Sequence, residues 1–480
     1  MVVCAYYSLG LGPTVTKKYA NCFFSLWCQT GSMKRDSETL REDALKIWHA
    51  GVAAVQPARL ISESVAVAGK SLWLGDQEID FDSIKRIIVV GAGKAGAAMA
   101  LALEGALGEQ VLRDKSVAGW VNVPADCLLP TKVIHLHAAR PAGVNEPAEE
   151  GIVGTGEILS LVANLDSDDL CICLLSGGGS ALLPAPIEGL SLLEKRDLIR
   201  TISAGGGNIQ QLNAVRRELS RVKGGGLARV CRAGQTVSLI LSDVLGDDLE
   251  TIASGPTVLR EPTPELAIQV LYDLGIQDHP SAQKAIQLLK HLPVETHPLN
   301  SSCSVSNLII GNNATAVDAA GCEAERLGYS HAMISAREPE GAAEEVAAHF
   351  AEMAVTMRGE DGPDCLISGG EPTVRLCPAD ERGLGGRNQQ LALAMLEAID
   401  DWQGLCLVAG GTDGEDGPTD AAGALVNEPI AARARELGLD PRAYVKRNDA
   451  YHFFAEVNGL LKTGPTQTNV CDLRVLTVDR

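Results

Sequence analysis

Several glycine-rich stretches carry charged side chains at spacings that suit the handling of anions. Gly91, Gly93 and Gly96 form a GAGKAG turn with Lys94 inside it, and Ser176, Gly177, Gly178, Gly179 and Ser180 form a hydroxyl-flanked glycine triplet. Lys223 immediately precedes a second triplet, Gly224 to Gly226. Gly370 and Glu371 lie within an ISGGEPT stretch, and Arg387 and Asn388 stand at a glycine-to-helix junction, GLGGRNQQLALAM. Glycine lets backbone amides approach an anion closely, and lysine or arginine beside it supplies charge or a bidentate grip. Two acidic groups complete the set: Asp243, Asp247 and Asp248 in SDVLGDD, and Asp413, Asp416 and Asp420 in GGTDGEDGPTD. Cations that neutralise a moving phosphoryl group, with carboxylates to hold magnesium and orient a hydroxyl, are the parts that phosphoryl transfer requires.

These loops share one local grammar. A short apolar run ends abruptly in glycine, serine or aspartate, and a helical segment follows: Ile87 to Val90, Cys171 to Leu175, Val237 to Leu241, Leu308 to Ile310, Cys365 to Ile367 and Leu405 to Val408. In an open parallel sheet the loops leaving the carboxyl ends of strands line the ligand crevice, so the small-residue loops are the expected site. The pattern predicts an α/β protein of two Rossmann-like lobes, with mainly parallel sheets and an active-site cleft between the lobes. The GKS at Gly69 to Ser71 has Ser64 where a P-loop needs its leading glycine, and neither a protein-kinase catalytic loop nor a GxSxG elbow occurs.

A chain of 480 residues exceeds one compact core, and its 50 glycines with only 4% aromatics suit tight βα turns. The formal charge of −20 argues against nucleic acid or an anionic membrane as partner and requires a local positive site for any anionic substrate. Cys171, Cys173, Cys365 and Cys406 lie in apolar runs and read as core residues in a reducing compartment, the cytoplasm. No apolar run reaches the roughly 20 residues of a spanning helix. Residues 1–32 are read as an N-terminal extension ahead of a translation start at Met33, the alternative being a cleaved mitochondrial segment. A first domain over 33–300 and a second over 301–480 are expected, with exchange of segments between them allowed; the oligomeric state is left open.

In order along the chain, VVGAGKAG, LLSGGGSALLPAP, LNAVRRELSRVKGGGLA, SLILSDVLGDDLETIASGPT, ISGGEPTV, GGRNQQLAL, GGTDGEDGPTDAAGA and TGPTQTNVCDL resemble the class II glycerate kinases, whose C-terminal part is the MOFRL domain. The resemblance spans about Asp43 to Leu473. It implies ATP- and magnesium-dependent phosphorylation of D-glycerate to 2-phosphoglycerate in a cleft between α/β lobes. It also implies that the essential lysine and arginine of the family are Lys94 and Arg387. Gln390 stands where relatives usually have glutamate, Ala450 where serine is common, and HAARPAGVNEP departs from the HPVPDE-like segment of many bacterial relatives.

Lys94, Arg387, Asp243 and Asp413 are accordingly the expected catalytic groups. The nucleotide is expected on Gly91, Gly93, Gly96, Ser176 to Ser180, Lys223, Gly370, Glu371 and Asn388, and Mg2+ on Asp247 and Asp416. Asp243, Asp247, Asp413 and Asp416 all remain candidates for the base. Two rival readings are an NAD(P)H-dependent hydroxypyruvate reductase, suggested by the GxGxxG pattern, and a sugar-acid sensor without catalysis.

Overall fold

The computed structural model describes residues 34–143, 146–291 and 303–479. The N-terminal extension, the Met33 start and most of the proposed inter-lobe connection around residue 300 lie outside them.

Three short strands, β1 (Val65–Ala68), β2 (Ser71–Leu74) and β3 (Gln77–Asp80), form an antiparallel meander at the entry to the first lobe. The first lobe is then built on six strands: β4 (Arg86–Ala92), β5 (Ala118–Pro124), β6 (Ile134–Arg140), β7 (Asp169–Leu175), β8 (Gln235–Leu241) and β9 (Ser304–Gly311). They lie in the order β6-β5-β4-β7-β8-β9, and every pairing is parallel. Strand alternation sends Ile87 and Val89 into one core and Ile88 and Val90 into another. Helix Gly96–Asp114 covers the first face through Met99, Leu103 and Leu107, and helix Glu149–Ala163 covers the second through Ile158, Leu159 and Val162. Burial on both faces is why β7, DLCICLL, is apolar almost throughout. Helices Leu192–Ala204, Ile209–Glu218, Pro264–Asp273 and Pro280–His291 contribute to a separate small core beside this sheet.

The second lobe holds β10 (His331–Ser335), β11 (Cys365–Gly370), β12 (Leu405–Gly411), β13 (Gly423–Asn427), β14 (Leu460–Leu461) and β15 (Asp472–Val478), in the order β10-β11-β15-β12-β13-β14. Here the parallel expectation holds only for the β10–β11 pairing. The C-terminal strand β15 inserts between β11 and β12 and runs against both, and β13 folds back on β12 as an antiparallel neighbour. β11 and β12 still point the same way, so their loops open at the same edge as each other. β15 is buried along its whole length and includes Arg474, whose guanidinium meets Glu340 at 2.8 and 2.7 Å.

The lobes exchange segments. Helix Ser37–Ala54 opens the described chain, yet Leu40, Ala44, Ile47 and Trp48 lie in the core of the second lobe, and the Trp48 indole donates to the Leu473 carbonyl at 3.0 Å. Residues 304–311 belong to the first sheet through β8. The sheets therefore divide the chain near Val55 and after Gly311, rather than once near Ser301. Helix Asn313–Arg326 begins at the second crossover, where the Asn313 side chain donates to the Val470 and Asp472 carbonyls, both at 2.9 Å. Cys171, Cys173, Cys365 and Cys406 are free, buried core residues. Among the described residues no helix is long and apolar enough to cross a membrane.

Candidate active site

The glycine turns after β4 and β7 interlock. Gly93, at φ +149°, places its Cα so close to Ser176 that a Cβ would lie 1.9 Å from the hydroxyl oxygen. This permits three bonds between the turns: Lys94 N to the Gly177 carbonyl at 2.9 Å, Ala95 N to Ser176 Oγ at 3.0 Å and Ser176 N to the Ala92 carbonyl at 3.1 Å. Gly93 and Ser176 thus act mainly on each other, Gly91 is packed against Leu174, and Gly96 is buried against Val121 and Val123. The residues of the pair that face charged side chains are Gly177, Gly178 and Ser180, while Gly179 is packed on Ala253 and the Ala92 backbone. A Cβ on Gly177 would lie 2.3 Å from an Asp243 carboxylate oxygen, and Gly178 faces Lys94 on one side and Arg140 on another.

Lys94 reaches across to the second lobe, where its ammonium donates to Asp413 at 3.1 Å and to Glu415 at 2.9 Å. Burial works against its charge, but the two carboxylates outweigh that effect and hold its pKa above the ordinary lysine value. Around this contact lies a cleft of about 600 Å3, lined by Lys94, Asp126, Cys127 and Arg140 of the first lobe and by Asp413, Glu415 and Gly417 to Thr419 of the second.

Asp243 follows β8 and stands between this group and a second one. Its carboxylate accepts from the Asn469 amide at 3.4 Å, and its backbone carbonyl accepts from the Cys471 thiol at 2.9 Å. Burial, reinforced by the nearby Glu371 charge, pushes its pKa up to about 6. Glu371 in turn accepts from Arg387 at 2.7 Å, while the same guanidinium holds Asp472 through Nε at 2.8 Å and Nη2 at 3.0 Å. Arg387 is the first residue of helix Arg387–Ala398, so the helix start fixes the direction of its side chain.

Asp416 has a different task from the one expected. Its two carboxylate oxygens accept from the backbone N–H groups of Asn388 at 3.0 Å and Gln389 at 2.8 Å, so it caps that same helix from a neighbouring loop. It is buried, and burial raises its pKa to about 7. Asn388 is fully buried and gives its side-chain amide to Asp416 at 3.3 Å. Asp247, at φ +58°, accepts from Asn312 at 2.5 Å at the inter-lobe crossover. Asp247 and Asp416, the two expected metal ligands, are thus each engaged within the protein, one at the crossover and one at the helix start. Among the described residues no group of three or more histidine, cysteine, aspartate or glutamate side chains is arranged to hold a metal ion.

Gly370 is packed against the Glu340 carboxylate at the end of β11, which places Glu371 beyond the strand and beside Arg387. Lys223 lies on the far side of the Ser176–Ser180 loop and donates to Ser180 Oγ at 2.5 Å. Sequence reasoning passed over Arg140, Glu415, Asn469 and Asp472. Glu415 and Asp472 lie inside quoted motifs, but an acidic residue at a loop or strand end announces no partner until the opposing cation is in place. Gln390, one of the departures from the relatives, is buried and bonds Glu344 at 2.8 Å and the Val445 carbonyl at 2.9 Å, away from the charged groups.

The fold and site define a two-lobed α/β protein in which a lysine of one lobe meets two carboxylates of the other beside a cleft, with an arginine held by two further carboxylates in the second lobe. Residues 43–290 match the domain of unknown function DUF4147, and residues 364–472 match the MOFRL family. Human glycerate kinase is 34% identical over 94% of this chain and 95% of its own length. The D-glycerate 2-kinase of Thermotoga maritima is 36% identical over 91% of this chain and 98% of its own. The crystal structure of glycerate kinase from the same organism superposes with a TM-score of 0.76 at 35% identity, covering 92% of this chain and all of that one. The chain belongs to the glycerate kinase family of DUF4147 and MOFRL architecture.

Proposed function

We propose that this protein transfers the γ-phosphoryl group of ATP to the 2-hydroxyl of D-glycerate in the cleft between the lobes. The carrying observation is the contact of Lys94 with Asp413 and Glu415, which brings a cation from the GAGKAG turn to the acidic loop after β12. Lys94, and Arg387 held by Asp472 and Glu371, supply preorganised positive charge where charge develops on the moving group. Asp243 is the base of choice among the four aspartates: it lies between the two cationic groups, and a pKa of about 6 leaves it ionised at neutral pH yet able to accept a proton. Asp247 and Asp416 are engaged elsewhere, and Asp413 is paired with Lys94.

Magnesium is part of the proposal. The donor chemistry fits at Asp413 and Glu415, whose hard carboxylate oxygens line the cleft and would exchange the Lys94 ammonium for Mg2+, an ion commonly held by one or two carboxylates together with substrate phosphates. When bound it would screen the phosphate charge. Gly178, Ser180 and Lys223 form the part of the expected nucleotide site that remains available to an anion, with Gly91, Gly93, Gly96, Ser176, Gly177 and Gly179 shaping it from behind.

A nicotinamide-dependent reductase gains less support. The GxGxxG turn is closed against the Ser176 loop, and no histidine is among the described residues that line the cleft. The test is a coupled ADP-release assay with ATP, Mg2+ and D-glycerate, alongside an NADH-oxidation assay with hydroxypyruvate. Phosphorus NMR of the product identifies the carbon. ADP release that survives unchanged in both Lys94→Ala and Arg387→Ala would sink the assignment, and glycerate binding without product would point to a sensor. The cytoplasm is the proposed location; subcellular fractionation with N-terminal sequencing of the mature protein separates it from a mitochondrial form lacking residues 1–32.

A further inference from the structure

Lys223 is an unusual cation for this molecule. It is only 7% exposed, and its ammonium donates to Ser180 Oγ at 2.5 Å; the Ser180 hydroxyl lies 2.9 Å from that of Ser254, itself 6% exposed. No carboxylate forms an ion pair with Lys223 among the described residues. The charged groups around it are mostly of its own sign. Arg216 of helix Ile209–Glu218 and Lys195 of helix Leu192–Ala204 act on it directly, while Arg217 and Arg260 flank the adjacent Gly224, with Glu250 turned towards Arg217. Lys94 and Arg140 stand on the other side of the glycine loop, at Gly178. A buried amine bonded to a hydroxyl and bordered by cations is a poor place for a lone positive charge and a good one for an anion that arrives from outside the protein.

The backbone beneath the two hydroxyls adds a second, independent observation. Ala253, Ser254 and Gly255 take successive positive φ values of 49°, 65° and 60°. L-residues avoid that region, and such strain persists where the surroundings impose it, commonly at ligand sites. Here it is imposed by the lysine loop: Gly224 N donates to the Ser254 carbonyl at 2.9 Å and Gly225 N to the Gly255 carbonyl at 2.7 Å. The strained turn and the lysine loop together fix two hydroxyls and one amine at a single point.

We propose that Lys223, Ser180 and Ser254 form a seat for an anionic oxygen group of a substrate, either the carboxylate of the acid or a phosphate of the nucleotide. The proposal rests on the kinase reading for the choice of ligands. Burial, with Arg216 adding to it, lowers the Lys223 pKa to about 7, so in the empty site above neutral pH the amine is largely uncharged. An anion settling beside it favours the charged form, and binding then draws a proton from solution. Below about pH 7 the amine is already charged and no proton is needed. Above it, affinity for the seated ligand falls by roughly tenfold per pH unit.

Calorimetric titration of the wild-type protein with D-glycerate alone and with ADP alone, in buffers of contrasting ionisation enthalpy, measures the protons taken up. One of the two ligands is expected to bring in on the order of one proton at pH 8 and close to none at pH 6. Uptake with glycerate assigns the seat to the carboxylate, and uptake with ADP assigns it to a phosphate. In Lys223→Arg, which stays charged, binding should persist and the uptake disappear; Ser180→Ala should weaken the same ligand about tenfold, the loss of one charge-assisted hydrogen bond. The seat is ruled out if neither ligand carries a proton at pH 8, or if the uptake is undiminished in Lys223→Arg. Should Lys223→Arg fail to fold, the wild-type titration and Ser180→Ala decide the matter. Proton-linked binding without ADP release from ATP and glycerate would overturn the kinase reading and leave the seat standing.

Discussion

Arg387 grips Asp472 with two guanidinium nitrogens at 2.8 and 3.0 Å, on a carboxylate that has no solvent exposure at all. The burial of the acid and the two-point contact make this a fixed mount, with a third nitrogen of the same group turned to Glu371. A lysine keeps the charge but cannot reproduce the fork.

Arg387→Lys is therefore expected to lower kcat by about 10²-fold or more while the protein stays folded, since a misplaced donor loses transition-state stabilisation. Arg387→Ala goes further, because it strands the buried Asp472 carboxylate and is expected to reduce stability by about 3 kcal/mol. Steady-state kinetics and urea midpoints on the two variants check this; equal kcat in Arg387→Lys and wild type would refute the fixed mount.

Asp243 sets an acidic limb. With a pKa of about 6 it acts as a base only when ionised, so kcat/KM should fall roughly tenfold per unit below pH 6 and level off above it. The same shift has a stability consequence of definite sign. The folded pKa lies above the ordinary carboxyl value, so ionisation on raising the pH through about 6 costs stability. Asp243→Asn should abolish turnover and raise the unfolding midpoint more at pH 8 than at pH 5. A variant that loses turnover with no pH-dependent gain in stability contradicts the buried-carboxylate account.

Asp416 and Asp413 should separate cleanly. Asp416→Ala removes a helix cap and is expected to cost about 1–2 kcal/mol, with the Mg2+ concentration for half-maximal rate unchanged. Asp413→Asn is expected to raise that concentration severalfold with little change in stability. Mg2+ titrations and thermal denaturation of both proteins test the pair, and the opposite pattern would return the metal to Asp416.

Trp48 ties the start of the chain to its end. Its side chain is fully buried in the second lobe and its indole holds the Leu473 carbonyl, one residue from Asp472. Trp48→Ala should lose about 3–5 kcal/mol by removing a large core side chain. It should also lower kcat beyond what the folded fraction explains, since β15 carries the mount for Arg387. Activity corrected for folded fraction from circular dichroism measures this.

How much was legible follows from what is local. Each apolar run read as a strand lies within β4, β7, β8, β9, β11 or β12, because a strand and the tight turn after it leave a run of apolar residues and a following small residue in the chain itself. Lys94 and Arg387 stood out as candidates for a similar reason, each being a cation beside a glycine turn, and the structure brings both against carboxylates. Sequence also fixed the local charge problem, since a net −20 chain must build any anion site from nearby cations. The tertiary structure decided the partners. Asp472 meets Arg387 only because β15 runs antiparallel between β11 and β12, and Trp48 joins the second lobe only because the first helix crosses to it. Asp416 became a cap and Asp243 a raised carboxyl once long-range packing excluded water around them. Periodicity and motif spacing record what neighbours along the chain require, whereas a carboxylate takes its task from the groups that distant segments bring within about 3 Å.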